Sequence, residues 1–209
     1  MIKEFCAENH SQVARALALG ANRIELCDNL AVGGTTPSYA VIAYVCQLAH
    51  EQGATVMTMI RPRGGDFYYD ETELSLMLTD CRVAKEAGSD GLVFGVLTKD
   101  NWLDEAALEQ LLVASSGCET VFHMAFDQIP RKRQFEAIDW LADHGVTRIL
   151  SRGGLAGSAV ENRAWLQELL THAAGRIEIV AGGGLNRGNL FLLVDELGID
   201  QVHGTRLFW

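Results

Sequence analysis

The chain has 209 residues, 48% of them apolar and 21% charged, which suffices for one substantial core. Its net charge of −10 excludes a general phosphate-backbone binder, which needs a basic face, so no nucleic acid partner is expected. No apolar run approaches the roughly 18 residues of a membrane span, and Met1 to Phe5 lack the apolar stretch of a secretory leader; a cytoplasmic location without membrane contact is expected.

In chain order, Ile2 to Glu8 reads as a strand and His10 to Gly20 as a helix with its apolar face at Val13, Ala16 and Leu17. Arg23 to Asp28 is a second strand, whose alternation puts Glu25 and Cys27 on one face. A glycine-containing loop leads to Ser38, a helix cap, and a helix to about Gln52. The third strand, Thr55 to Ile60, breaks into Arg61-Pro62-Arg63-Gly64-Gly65, the form of an anion-handling site. A helix from about Glu71 to Ala87 follows, then a strand over Gly91–Leu97, a helix over 104–115, a strand over Thr120–Phe126, and a helix over 132–143. Strands at Arg148–Ser151, Ile177–Ala181 and Gln201–Thr205 enclose helices over 159–173 and 188–197.

Eight strand-like runs alternate with seven helix-like runs, so the strands are parallel with helical crossovers. The expected fold is a single-domain α/β TIM-like (β/α)8 barrel lacking the last outer helix. The alternative, a doubly wound open sheet, is weakened by the absence of GxGxxG after the first strand. The sector without a helix exposes apolar surface. It calls for cover from a second subunit, in a homo-oligomer (dimer or tetramer), or from Leu207, Phe208 and Trp209.

In such a barrel, functional groups stand at the carboxyl ends of strands. Those ends carry Cys6 and Glu8, Glu25 and Cys27, Arg61 and Arg63, His123 and Asp127, Ser151, and His203 with Thr205. Glu25 opposite Arg61 would form an ion pair. His123 and Asp127, four apart on an extended strand, share a face suited to general acid–base work. An enzyme acting on a small anionic molecule would therefore use Glu25, Arg61, His123 and Asp127. Its anion would be held by Arg63, Ser151 and the loop residues Gly183, Gly184, Gly204 and Thr205. The other histidines, His10, His50, His144 and His172, fall at helix edges or loops and read as surface.

Five cysteines, an odd number with no CxxC, read as free thiols in a reducing compartment. Cys6 and Cys27 fall on neighbouring strands near one barrel end, where two thiolates favour a soft monovalent ion such as Cu(I). A small core residue is the ordinary alternative for a free cysteine.

The segments RIELCDNLAVGGTTPS, MIRPRGGDF, GLVFGVL, FHMAFD, RILSRGG and AGGG, in this order, resemble the CutC copper-homeostasis family over nearly the whole chain. The resemblance implies a TIM-like barrel, a cytoplasmic location, a copper-related role, self-association, and Cu(I) at Cys6 and Cys27. The chain departs from the longer members, which carry an extended C-terminal segment and an arginine where Met124 stands, so it looks like a shorter bacterial branch. A two-thiol copper site leaves Glu25, Arg61, His123 and Asp127 without a role, and the enzyme reading stays open beside it.

Overall fold

The computed structural model describes residues 1–209. Eight strands close into a parallel barrel in sequence order, with β1 (Ile2–Glu8) beside β8 (Gln201–Gly204). Between them run β2 (Arg23–Cys27), β3 (Thr55–Met59), β4 (Gly91–Phe94), β5 (Glu119–Phe122), β6 (Arg148–Ser151) and β7 (Glu178–Ala181). The crossover helices are α1 (Val13–Ala18), α2 (Tyr39–His50), α3 (Glu71–Glu86), α4 (Glu105–Ala114), α5 (Gln134–Asp143), α6 (Arg163–Ala173) and α7 (Leu190–Leu197). No helix is long and apolar enough to cross a membrane.

Strand alternation sorts the apolar residues into two cores. Outward residues such as Ile24, Leu26, Val56, Leu92, Phe94, Phe122 and Ile149 pack with the helices in one large cluster. Inward residues Cys6, Cys27, Met57, Met59, Val93, Val121, Leu150 and Val180 fill the barrel interior. Below them, ionic groups floor the barrel. Arg23 pairs with Glu4 and donates to Gln201 Oε1 at 2.8 Å; Gln201 donates to Glu178 at 2.7 Å; and Arg148 bridges Glu178 and Glu119. Every cation of this floor has a carboxylate, as buried charge requires.

Several boundaries differ from the expected ones. The α1 helix starts at Val13 because Gln12 stands in a left-handed conformation, φ 63°. The α6 helix starts at Arg163, after a turn held by Ser158 and Glu161. The largest correction concerns β5, which ends at Phe122 rather than Phe126. His123 Nδ1 accepts the backbone N–H of Ala125 at 3.1 Å and caps a 3-10 turn over Met124–Gln128. The apolar run continues through this turn because the turn is itself buried, at Ala125 and Phe126, so hydrophobicity could not mark the strand end.

No helix follows β8. Leu207 and Phe208 are buried there, and the rings of Phe208 and Trp209 meet Phe5 edge-on at 6.0 and 5.2 Å. The chain end thus covers the sector that the sequence left open.

Candidate functional site in the barrel mouth

The parallel register of β1 and β2 sets Cys6 beside Glu25. Inward alternation brings Glu4 and Cys6 from β1 and Arg23, Glu25 and Cys27 from β2 into the interior. Glu25 Oε1 lies 3.7 Å from the Sγ of both Cys6 and Cys27. His203 on β8 stands between two carboxylates, with Nδ1 2.7 Å from Glu4 Oε1 and Nε2 3.9 Å from Glu25 Oε1. The ligand atoms of Cys6, Glu25 and Cys27 all lie within 4.8 Å of one another, as do those of Glu4, Glu25 and His203.

Burial and mutual charge spread the proton affinities of this cluster. Burial raises Glu25 to about 8. Burial would raise Glu4 too, but its hydrogen bond with His203 and the Arg23 charge bring it down to about 2. Burial disfavours the His203 imidazolium, yet the Glu25 charge and hydrogen bonding with Cys6 and Glu4 outweigh it and hold the ring protonated. The thiol pair is asymmetric. Hydrogen bonding from Cys27 and, against burial, from His203 lowers Cys6 to about 5, while the same partnership pushes Cys27 well up. Gly34 makes room for Cys27: a Cβ there would lie 3.1 Å from Cys27 Sγ, and its φ of 90° suits glycine.

Above the cluster is a cavity of about 180 Å³, lined by Cys6, Glu25, Met59, Phe67, His123 and His203 together with Leu30, Gly33, Met124 and Leu150. His123 enters it from the end of β5. A Cβ on Gly95 would lie 2.6 Å from its ring, so only glycine admits the imidazole in this position. Burial and the nearby Arg61 charge hold His123 down to about 3, so the ring is neutral.

The structure corrects the expected Glu25–Arg61 pair. Arg61 is buried, but its guanidinium donates to the carbonyls of Val32, Gly34 and Gly65 at 2.9, 3.0 and 2.8 Å and lies over the Phe67 ring. It ties two loops together and does not line the cavity. His123 and Asp127 are not partners either, because the strand ends between them. Asp127 accepts from Ser151 Oγ at 2.6 Å and from the Arg152 N–H at 2.9 Å.

The expected anion cradle does not assemble in the cavity, since none of Arg63, Ser151, Gly183, Gly184, Gly204 or Thr205 lines it. Arg63 is neutralised by Glu73 and Asp66 at 2.5 and 3.0 Å. Gly183 lies against the Arg152 side chain, Gly184 against Ser158, and Gly204 against the Leu185 carbonyl, while Thr205 is exposed. A larger surface hollow of about 380 Å³ lies outside the barrel at the β5 and β6 loops, where Arg131 stacks on Trp165.

The sequence profile of the CutC family matches residues 1–207. The chain belongs to the CutC family. A CutC family protein of Enterococcus faecalis is 53% identical over 208 residues, 99% of this chain and 100% of that one. The human copper homeostasis protein cutC homolog is 37% identical over 97% of this chain and 72% of its own length. A crystal structure of CutC from Streptococcus agalactiae superposes with a TM-score of 0.96 at 48% identity, covering 99% of both chains. The tetrameric deoxyribose phosphate aldolase of Aeropyrum pernix, with a TM-score of 0.70 at 14% identity over 98% of this chain and 84% of that one, shares the barrel fold alone.

In this CutC family chain, sequence reasoning missed Glu4 and Arg23, which anchor the cluster from below, and Met59, Leu30 and Phe67, which wall the cavity. Period-two polarity within the strands, Glu4 two before Cys6 and Arg23 two before Glu25, was the available signal for the first two. Met59 shares the inward face of β3 with Met57, the same period-two signal, whereas nothing local marks Leu30 and Phe67, apolar residues whose exposure to the cavity depends on loop paths.

Proposed function

We propose that this chain binds Cu(I) in the barrel mouth through the thiolates of Cys6 and Cys27, in a copper-homeostasis role like that named for the human relative. The observation that carries the reading is the pair of buried thiols on adjacent strands, both 3.7 Å from one oxygen of Glu25. Met59, which also lines the cavity, adds a thioether to a sulfur-rich donor set that suits a soft monovalent ion. Two thiolates and one Cu(I) leave a single negative charge, which lies beside the His203 imidazolium. Metal binding would then release the Cys27 proton.

The test is an anaerobic competition titration with Cu(I). One-to-one binding is expected for the wild type and its loss for the Cys6→Ser/Cys27→Ser variant; unchanged affinity in that variant sinks the reading. Five free cysteines support a reducing, cytoplasmic location, which cell fractionation tests. Self-association into a dimer or tetramer belongs to the same proposal. It is supported by the exposed Phe191 and Leu192 on α7, an apolar pair of the kind that marks contact surfaces.

A further inference from the structure

Two buried side-chain atoms that line the barrel-mouth cavity have no hydrogen-bond partner, His123 Nε2 and Glu25 Oε2. Their residues are only 4% and 3% exposed. Leaving a buried polar atom unpaired costs about 1–3 kcal/mol, and native proteins keep few of them. The two residues come from β2 and the end of β5, three strands apart around an eight-stranded barrel, so they address the cavity from different walls.

The hydrogen-bond pattern fixes what each atom offers. His123 Nδ1 is occupied as an acceptor by the Ala125 N–H, so the neutral ring carries its proton on Nε2 and presents a donor. That donor needs a pure acceptor, which a carbonyl oxygen supplies. Glu25 Oε2 can accept when ionised and donate when protonated, and a hydroxyl answers both states. The walls between them, Leu30, Met59, Phe67, Met124 and Leu150, suit a short carbon skeleton.

Charge and size narrow the ligand further. An anion finds no free cation in the lining: Arg61 does not line the cavity and its two terminal guanidinium nitrogens serve loop carbonyls, and His203 already stands between Glu4 and Glu25. At about 180 Å³ the cavity is smaller than the roughly 300–1,000 Å³ of drug-sized sites.

We propose that the barrel mouth is a binding site for a small uncharged hydroxycarbonyl compound, with His123 Nε2–H donating to its carbonyl and Glu25 Oε2 paired with its hydroxyl. The site uses atoms that the copper reading leaves idle. It is defined for the metal-free protein, so it stands or falls separately from that reading.

The experiment titrates hydroxyacetone into metal-free protein carrying 15N-labelled histidine and follows the His123 side-chain resonances by NMR. A saturable shift at His123 is expected, with weaker binding of acetone, which lacks the hydroxyl, of propane-1,2-diol, which lacks the carbonyl, and of pyruvate, which is anionic. In His123→Asn, the amide oxygen can still accept the Ala125 N–H, but the Nε2 donor is gone. Affinity should fall about tenfold, the value of one hydrogen bond. No saturable shift at His123, pyruvate binding more tightly than hydroxyacetone, or undiminished affinity in a folded His123→Asn variant would each overturn the proposal. The comparison among the four ligands on the wild type keeps it testable if that variant does not fold.

Discussion

Arg61 and His123 both end strand-like runs, and both are buried, yet the fold employs them differently. Arg61 places Nη1 on the carbonyls of Val32 and Gly34 and Nη2 on that of Gly65, and so acts as a clasp between loops. His123 spends only Nδ1, on Ala125, and keeps Nε2 for the cavity. This arrangement has a stability signature. An unfolded histidine takes up a proton near pH 6.5, whereas the folded ring resists it down to about 3, chiefly through burial and then through the Arg61 charge. As pH falls from 6.5 towards 3, the unfolded state binds the additional proton, so stability declines. Wild type is therefore expected to lose more stability than His123→Asn between pH 6.5 and 4, by on the order of 1 kcal/mol per pH unit. Urea unfolding at stepped pH measures this; parallel pH profiles for the two proteins would refute it. At this scale, Cys6, Glu25 and Cys27 were legible, because strand alternation alone puts Glu25 and Cys27 on one face. The occupation of Arg61 was not, since its acceptors lie up to 29 residues away in a loop whose path no local pattern reveals.

Among the elements, α3 shows how a local sequence signal reaches the site region. Asp70 accepts from the Glu73 N–H at 2.9 Å while Glu73 accepts from the Asp70 N–H at 3.1 Å, a reciprocal capping box. The same Glu73 carboxylate holds Arg63, so the helix start anchors the loop after β3 that also presents Phe67 to the cavity. Asp70→Ala should lower unfolding stability by about 1 kcal/mol and leave Cu(I) affinity within error, because no thiol touches the box. Chemical denaturation together with the Cu(I) titration checks both halves, and a loss of Cu(I) affinity would show that the loop shapes the thiol site. Strand and helix identities were readable from apolar periodicity, while the end of β5 was not. There a side-chain cap, His123 onto Ala125, turns the chain inside a continuous apolar run.

For the whole molecule, eight strand runs alternating with seven helix runs announced a parallel barrel, and the closed order from β1 to β8 is that barrel. In the sector without a helix, Leu207 and Phe208 are buried and the Phe208 ring meets Phe5 edge-on. For the proposed self-association, α7 offers Phe191 and Leu192, each more than half exposed. Sedimentation velocity is expected to give a mass above the 22.8 kDa monomer, reduced by Phe191→Glu/Leu192→Glu. A monomer mass for the wild type at micromolar concentration would remove self-association from the proposal.

The amino-acid sequence by itself determined the number of βα units, the parallel sense of the strands and the two faces of each strand, because these follow from local periodicities of 3.6 and 2. It therefore also determined that Cys6, Glu25 and Cys27 would meet at one barrel end. Only the tertiary structure decided which polar groups face one another. Glu4 and His203 are 199 residues apart and bond because closure sets β1 beside β8. Arg61 is withdrawn from the cavity chiefly by the Val32 and Gly34 carbonyls, 29 and 27 residues away, which no short stretch of sequence reveals, and His123 is turned into it where its cap on the Ala125 N–H ends the strand.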